Sequence, residues 1–235
     1  MHMTVLRRLR DDEGGFSLTE LLAAMAIGSL VLWAAMQVFV TGIQGSSKVG
    51  DRVEAAQRGR LAMDRITTVL NAQVCLASTT PPISTGTDQS VTFTANLGQV
   101  DADPIRYVLR YDSAAKRLIE DQYNPNVDVN GVITYAGTPS RSRTLATGVV
   151  PERVSGAQQP MFRYYQFNAD GTINTTPLGT PLLAANLTKV VRIGIAFQAV
   201  PERTNNEDAR GTTLEGQATL GSADPNDPTK GTNCT

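Results

Sequence analysis

The chain has 235 residues, 41% of them hydrophobic and 18% charged, which excludes a wholly disordered or collagen-like polymer and leaves room for one or two domains. Lys plus Arg number 21 against 22 Asp plus Glu, so bulk charge draws the chain neither to nucleic acid nor to an anionic membrane surface. The single histidine is His2, which takes histidine acid–base catalysis and multi-histidine metal sites out of the folded part.

The chain opens on a polar leader, with Arg7, Arg8 and Arg10 followed by Asp11-Asp12-Glu13-Gly14-Gly15. From Phe16 to Ile43, 20 of 28 residues are hydrophobic and the only charge is Glu20. As a helix this stretch is roughly 42 Å long at about 1.5 Å per residue, enough to cross a hydrocarbon core of roughly 30 Å. A secretory signal peptide fits poorly: the run is too long, and Ala24-Met25-Ala26, the clear small-residue match, lies inside it. A plain signal anchor accounts for the length but not for a carboxylate at Glu20, which costs free energy beside hydrocarbon unless it is paired or near water. The basic leader favours a cytoplasmic N-terminus, although Lys48, Arg52, Arg58 and Arg60 follow the span.

Gly15-Phe16-Ser17-Leu18-Thr19-Glu20-Leu21-Leu22, read with the basic leader and the apolar run, resembles the start of type IV prepilins and of the related type II secretion pseudopilins. The resemblance implies a leader over residues 1–15, cleavage between Gly15 and Phe16 by the prepilin peptidase, and N-methylation of Phe16. It also implies a docking role for Glu20, whose carboxylate would meet the N-terminal amine of a neighbouring subunit. The physical reason is plain: a free amine and a carboxylate four residues apart share one helix face, and pairing offsets the cost of charge in an apolar setting. A lone glutamate that only complements the helix dipole is the simpler alternative. Two features depart from the common pattern: the acidic trio Asp11-Asp12-Glu13 near the cut, and the absence of proline before Pro81, so that any bend must come from Gly28 or from the Thr41 to Gly45 region.

From Lys48 to Val74 the period predicts an amphipathic continuation of the same helix. Val49, Val53, Ala56, Met63, Ile66, Leu70 and Val74 form the stripe, while Asp51, Arg52, Glu54, Arg58, Arg60, Asp64 and Arg65 face water or neighbouring subunits. The Ala55 to Asp64 stretch is similar to the larger minor pilins of the PilW kind and to the J component of type II secretion. After Cys75 alternating strands are expected at 91–93, 106–111, 117–120, 132–135, 144–149, 162–167, 189–200 and 212–220. The 106–111 and 117–120 strands form a hairpin, and 189–200 pairs with 212–220 across an Arg203 to Gly211 loop. The fold class is α+β and type IV pilin-like: a long helix, with a membrane half over residues 16–43 and an amphipathic half over 44–76, packed on an antiparallel sheet domain over 77–235.

Cys75 and Cys234 are the two cysteines. Outside the cytoplasm an even count favours a disulfide, worth about 5 kcal/mol at most on a chain-entropy model for a loop of this length, and free thiols are the alternative. Asp224-Pro225-Asn226-Asp227, and Asp101 with Asp103, read as solvated turns, since neither has the ligand number of a calcium loop. Arg141-Ser142-Arg143 reads as an exposed loop, and Asn174, Asn186 and Asn233 as chance matches to a glycosylation pattern. No nucleophile–base pair, phosphate loop or carboxylate dyad stands out, so an enzyme is not expected, and no metal or cofactor is implied.

The resemblance thus implies a structural minor pilin of a type IV pilus. Its partners would be the prepilin peptidase, other major and minor pilins, the inner-membrane assembly platform and, before assembly, membrane lipid. It would sit in the cytoplasmic membrane with the sheet domain outside, then in an extracellular pilus or a periplasmic pseudopilus. The alternatives are a minor pseudopilin of a type II secretion system, or a tip-mounted binding module for adhesion or DNA uptake, the one setting in which nucleic acid would be a partner.

Overall fold

The computed structural model describes residues 17–76, 80–98, 103–202, 211–228 and 234. The chain divides into two compact units, residues 1–49 and 50–235. One α-helix, α1 (Leu18–Asn71), runs through both and has no break at Gly28 or at Thr41 to Gly45. In the first unit every described side chain is exposed.

In the second unit α1 buries Ala55, Gly59, Ala62, Met63, Ile66, Val69 and Leu70. These recur at three and four residues and define one face. The stripe read from the sequence begins too early: Val49 and Val53 are exposed, and burial starts six residues after Val49, at Ala55. It also ends too late. The helix stops at Asn71, Gln73 bridges Ala95, and the Val74 N–H donates to the Thr94 carbonyl at 3.1 Å, so Val74 belongs to sheet pairing.

The strands are β1 (Ile83–Gly86), β2 (Ser90–Ala95), β3 (Ile105–Asp112), β4 (Arg117–Tyr123), β5 (Pro125–Val127), β6 (Ile133–Tyr135), β7 (Arg141–Thr147), β8 (Val149–Val150), β9 (Arg153–Val154), β10 (Ala157–Gln158), β11 (Phe162–Tyr165), β12 (Arg192–Ala199) and β13 (Thr212–Thr219), with a short helix α2 (Ala184–Leu187). Every segment expected to be extended falls on a strand. β1, β5, β9 and β10 were not anticipated, because two to four residues carry too little alternation to read.

The layout is α+β and pilin-like, but the strands form two principal antiparallel sheets where one was expected. The first has the order β1-β2-β3-β4-β7, the second β11-β12-β13 with β8 also on β12, and β5-β6 and β9-β10 are small ribbons. The expected strand 144–149 is split at Gly148, whose φ of +63° suits glycine. There the chain leaves the first sheet for the second, and the Val200 N–H donates to the Gly148 carbonyl at 2.7 Å. A Cβ at that position would stand 2.4 Å from the Val200 carbonyl oxygen. Tyr164 ties the sheets again: its hydroxyl donates toward the Thr87 and Ser90 carbonyls of the β1–β2 turn, and burial raises its pKa far above the ordinary tyrosine value.

Both sheets contribute to one core. Ile66, Val69 and Leu70 of α1 lie with Phe93, Tyr107 and Leu109 of the first sheet and Phe162, Ile193, Ile195 and Phe197 of the second. Each such side chain contributes roughly 2 kcal/mol when fully buried. Close approach of α1 to β12 and β13 requires Gly59, where an added Cβ would lie 2.3 Å from Leu214 Cδ1 and 3.0 Å from Ala199 Cβ.

At the seam between α1 and β4 lies Glu120, with no solvent exposure. Register places Gln122, Glu120 and Leu118 of β4 beside Tyr107, Leu109 and Tyr111 of β3 on one sheet face. Arg65 donates to both Glu120 oxygens, Nε–Oε2 at 2.9 Å and Nη2–Oε1 at 3.1 Å, a fork-on-carboxylate pair. Arg143 Nη2 adds 3.3 Å to Oε2, and Gln122 Nε2 adds 2.5 Å to Oε1. Burial pushes the Glu120 carboxyl up, but the hydrogen bonds from Arg65 and Gln122 and the charges of Arg65 and Arg143 outweigh it, so its pKa lies below the usual glutamate value. On the opposite face of β4, Asp121 pairs with Arg110 at 2.7 Å and accepts from Ser142.

Two sequence expectations are corrected here. Arg65 turns to the sheet, and Arg58 pairs with Glu54 of its own helix at 3.1 Å and with Glu202 at 3.5 Å; neither stands free in water. Arg141-Ser142-Arg143 is the start of strand β7, paired residue for residue with Gln122, Asp121 and Glu120, and is not a loop.

Replacing Arg65 by Ala leaves a buried carboxylate short of its principal partner and is expected to destabilise the fold by about 3 kcal/mol, whereas Arg65→Met with Glu120→Leu together should recover most of that loss. A group with a depressed folded pKa stabilises above its unfolded value, about 4.3, and loses that contribution as pH falls through the folded pKa. Urea denaturation from pH 7 down to pH 3 should therefore show a steeper acid loss in the wild type than in the double variant.

Candidate functional site

Gly15 and Phe16, the pair expected to be cleaved, and the residues before them lie outside the described residues, so the described site begins at Ser17. Ser17 stands at the N-cap of α1: its Oγ accepts the Glu20 N–H at 3.2 Å, and its carbonyl accepts the Leu21 N–H at 3.1 Å. Ser17 and Glu20 thus stand in the S-x-x-E spacing of a capping box. A second contact, Ser17 Oγ to Thr19 Oγ1 at 2.8 Å, secures the hydroxyl. The cap starts the helix at Leu18, so Glu20 is on its first turn, with its side chain exposed and without an ion pair among the described residues. There the free N–H groups favour an anion, yet its charge remains available to an outside cation.

Past Glu20 the surface is apolar on all sides. Leu21, Leu22, Met25, Ile27, Leu30, Val31, Leu32, Trp33 and Phe39 are all more than half exposed. The helix is long and apolar enough to cross a membrane. A continuous apolar surface of this kind marks contact with lipid or with other proteins. Side chains at Gly28, Gly42 and Gly45 would meet nothing within 4 Å, so no packing inside this chain calls for glycine there, although each costs about 1 kcal/mol in helix propensity. Close packing against other helices is the use such positions have.

Residues 10–36 match the family model described as the prokaryotic N-terminal methylation motif. That motif is the signature of type IV prepilins and pseudopilins, and it spans the Gly15 to Leu22 stretch together with the first part of the exposed apolar helix. The chain therefore carries the prepilin-type N-terminus on a pilin-like α+β layout. No curated protein matches the chain.

The remaining sequence candidates are placed as follows. Cys75 and Cys234 are joined by a disulfide with Cα atoms 5.6 Å apart, linking the end of the chain to the segment just after α1. Asp224 caps its own turn, its Oδ1 accepting the Asn226 N–H at 2.8 Å. Asp101 lies outside the described residues, and among the described residues no three metal-ligating side chains converge.

Sequence reading missed the arginine–tyrosine contacts, which join residues far apart in the chain. Arg106 lies 4.3 Å from the Tyr123 ring centroid and 4.9 Å from that of Tyr135, while its Nη2 donates to the Ala136 carbonyl. Arg192 stacks over Tyr165 and donates to Gln217 at 2.7 Å. These cations hold the β5-β6 ribbon and the outer face of the second sheet in place, and are already engaged within the fold.

Replacing both cysteines by Ala is expected to lower stability by about 3 kcal/mol and to free the C-terminal segment. Thermal unfolding with limited proteolysis near residue 228 measures both effects.

Proposed function

We propose that the protein is a structural minor pilin of a type IV pilus, made as a prepilin, cut by prepilin peptidase between Gly15 and Phe16, and methylated on Phe16. The observation that carries this reading is the methylation motif at the head of a helix whose apolar surface is wholly unburied in the single chain. Such a helix requires a bilayer before assembly and a bundle of like helices after it. The serine cap supports the reading by leaving the first turn intact after cleavage, with Glu20 four residues along the sequence from the new amine. In the filament the Glu20 carboxylate meets the Phe16 amine of an adjacent subunit, and pairing offsets the desolvation of both charges. The pair gives the bundle a register that apolar contacts alone do not supply. The sheet unit remains outside the membrane, where its disulfide persists. Partners in this scheme are the peptidase, the assembly platform and the other pilins.

Intact-mass spectrometry of protein recovered from membranes of a host with a matching peptidase should give a chain that starts at Phe16 and carries one methyl group. A chain that still starts at Met1 despite an active peptidase overturns the proposal. Glu20→Ala should be processed normally yet reach sheared filaments about tenfold less, a loss of about 1.4 kcal/mol of docking free energy. Equal incorporation removes the docking role.

A further inference from the structure

The two principal sheets have four outer edges, and the chain treats them differently. At β1 the Leu182 N–H donates to the Gly86 carbonyl at 2.8 Å. At β11 the Phe162 N–H donates to the Asp88 carbonyl at 3.1 Å, and the Tyr164 carbonyl accepts the Leu178 N–H at 2.7 Å. β7 carries Arg141 and Arg143 and faces an irregular register at Leu118/Ile119, the charges and bulge that discourage further pairing. The fourth edge, β13, has no such cover among the described residues, and Thr-Thr-Leu-Glu-Gly-Gln-Ala-Thr holds no Lys, Arg or Pro and only the single charge of Glu215.

The direction of its backbone groups follows from register. The Leu220 N–H donates to the Val191 carbonyl at 2.9 Å, which makes Val191 and Leu220 a hydrogen-bonded pair. Antiparallel ladders alternate bonded and non-bonded pairs. Ala218, Gly216, Leu214 and Thr212 therefore bond to β12, opposite Ile193, Ile195, Phe197 and Ala199. Thr213, Glu215, Gln217 and Thr219 turn their N–H and C=O groups to the outer edge, and among the described residues none of these groups has a backbone partner there. Their side chains are exposed as well. The edge is thus a regular row of free donors and acceptors along eight residues.

We propose that the outer edge of β13 takes an extended strand from a neighbouring, non-identical subunit of the filament, extending the second sheet between chains. The inference rests on the filament reading above. Antiparallel pairing with the same edge of a second copy is disfavoured by symmetry: the two-fold axis would stand normal to the sheet, and α1 packs flat on that sheet through Gly59 and Met63 against Leu214 and Gly216. The two copies would then carry their packed helices in opposite directions, whereas subunits drawn from one membrane carry them in the same direction. Charge specifies the partner further. Glu215 has no ion pair among the described residues, so the incoming strand places a Lys or Arg opposite it.

The test uses full-length chain in a host that assembles filaments from it. Glu215→Pro removes an outward N–H and leaves the β12–β13 bonds in place, at an edge position where proline is tolerated. Glu215→Ala removes only the carboxylate. The proline variant should keep its membrane level and melting temperature but fall about tenfold in filament incorporation, and the alanine variant about twofold. A proline variant incorporated as well as wild type overturns the proposal while leaving the filament reading intact; wild-type chain that is unprocessed and absent from filaments overturns the filament reading itself. If the proline variant fails to fold, a photo-crosslinking amino acid in place of Thr213 decides the matter. A cross-link to a pilin-class subunit of different sequence supports the proposal, and a cross-link only to a second copy, or none in intact filaments, overturns it.

Discussion

Glu120 is a carboxylate taken wholly out of water in the seam where helix meets sheet. Desolvating one carboxylate costs several kcal/mol, and the fold can hold it only because Arg65 grips both oxygens from the helix while Arg143 and Gln122 approach from the sheet. Apolar contacts would let α1 slide or roll on the sheet with little change in buried area. A bidentate pair has one geometry. It sets the rotation of α1 about its axis, and that rotation aims Ala62, Met63, Ile66 and Leu70 into the core and brings Gly59 against Leu214.

The same helix meets two opposite demands along its length. Its second part is two-faced and satisfied by the sheets of its own chain. Its first part is largely apolar and exposed among the described residues, so its burial is left to a bilayer or to other proteins. The junction near residues 49–50 separates a unit whose folding is intramolecular from one whose burial is intermolecular. Glu20, just past the serine cap, is the one charge between Ser17 and Ile43 in the second kind of surface. It gives an otherwise featureless apolar cylinder a defined end.

The sheets show how the sequence conveys pairing better than layering. Alternation in Ile193, Ile195 and Phe197 marks a strand, buried in the structure on both faces because Gly194 and Ala196 are covered as well, and the β12–β13 pairing follows from its neighbour in the chain. That Thr144 to Val149 serves two sheets depends on a single left-handed glycine, and a lone glycine in a strand pattern has many readings. Arg141-Ser142-Arg143 looked like a solvent loop because its partners, Glu120 and Asp121, come from a strand that carries two adjacent charges in its most buried part. Propensity argues against such a strand, and only the opposing arginines make it possible.

The sequence by itself determined the features that need no distant partner: the cut-site motif, the apolar span, the helical period that follows it and the alternation of the main strands, because each is written in residues within a few positions of one another. The tertiary structure alone decided which arginines leave the water, where α1 stops, that the strands divide into two sheets, and which of their edges has no partner among the described residues. Those outcomes depend on groups brought together from 55 residues apart, as with Arg65 and Glu120, and their free energy arises from desolvation and pairing that exist only once the fold has formed.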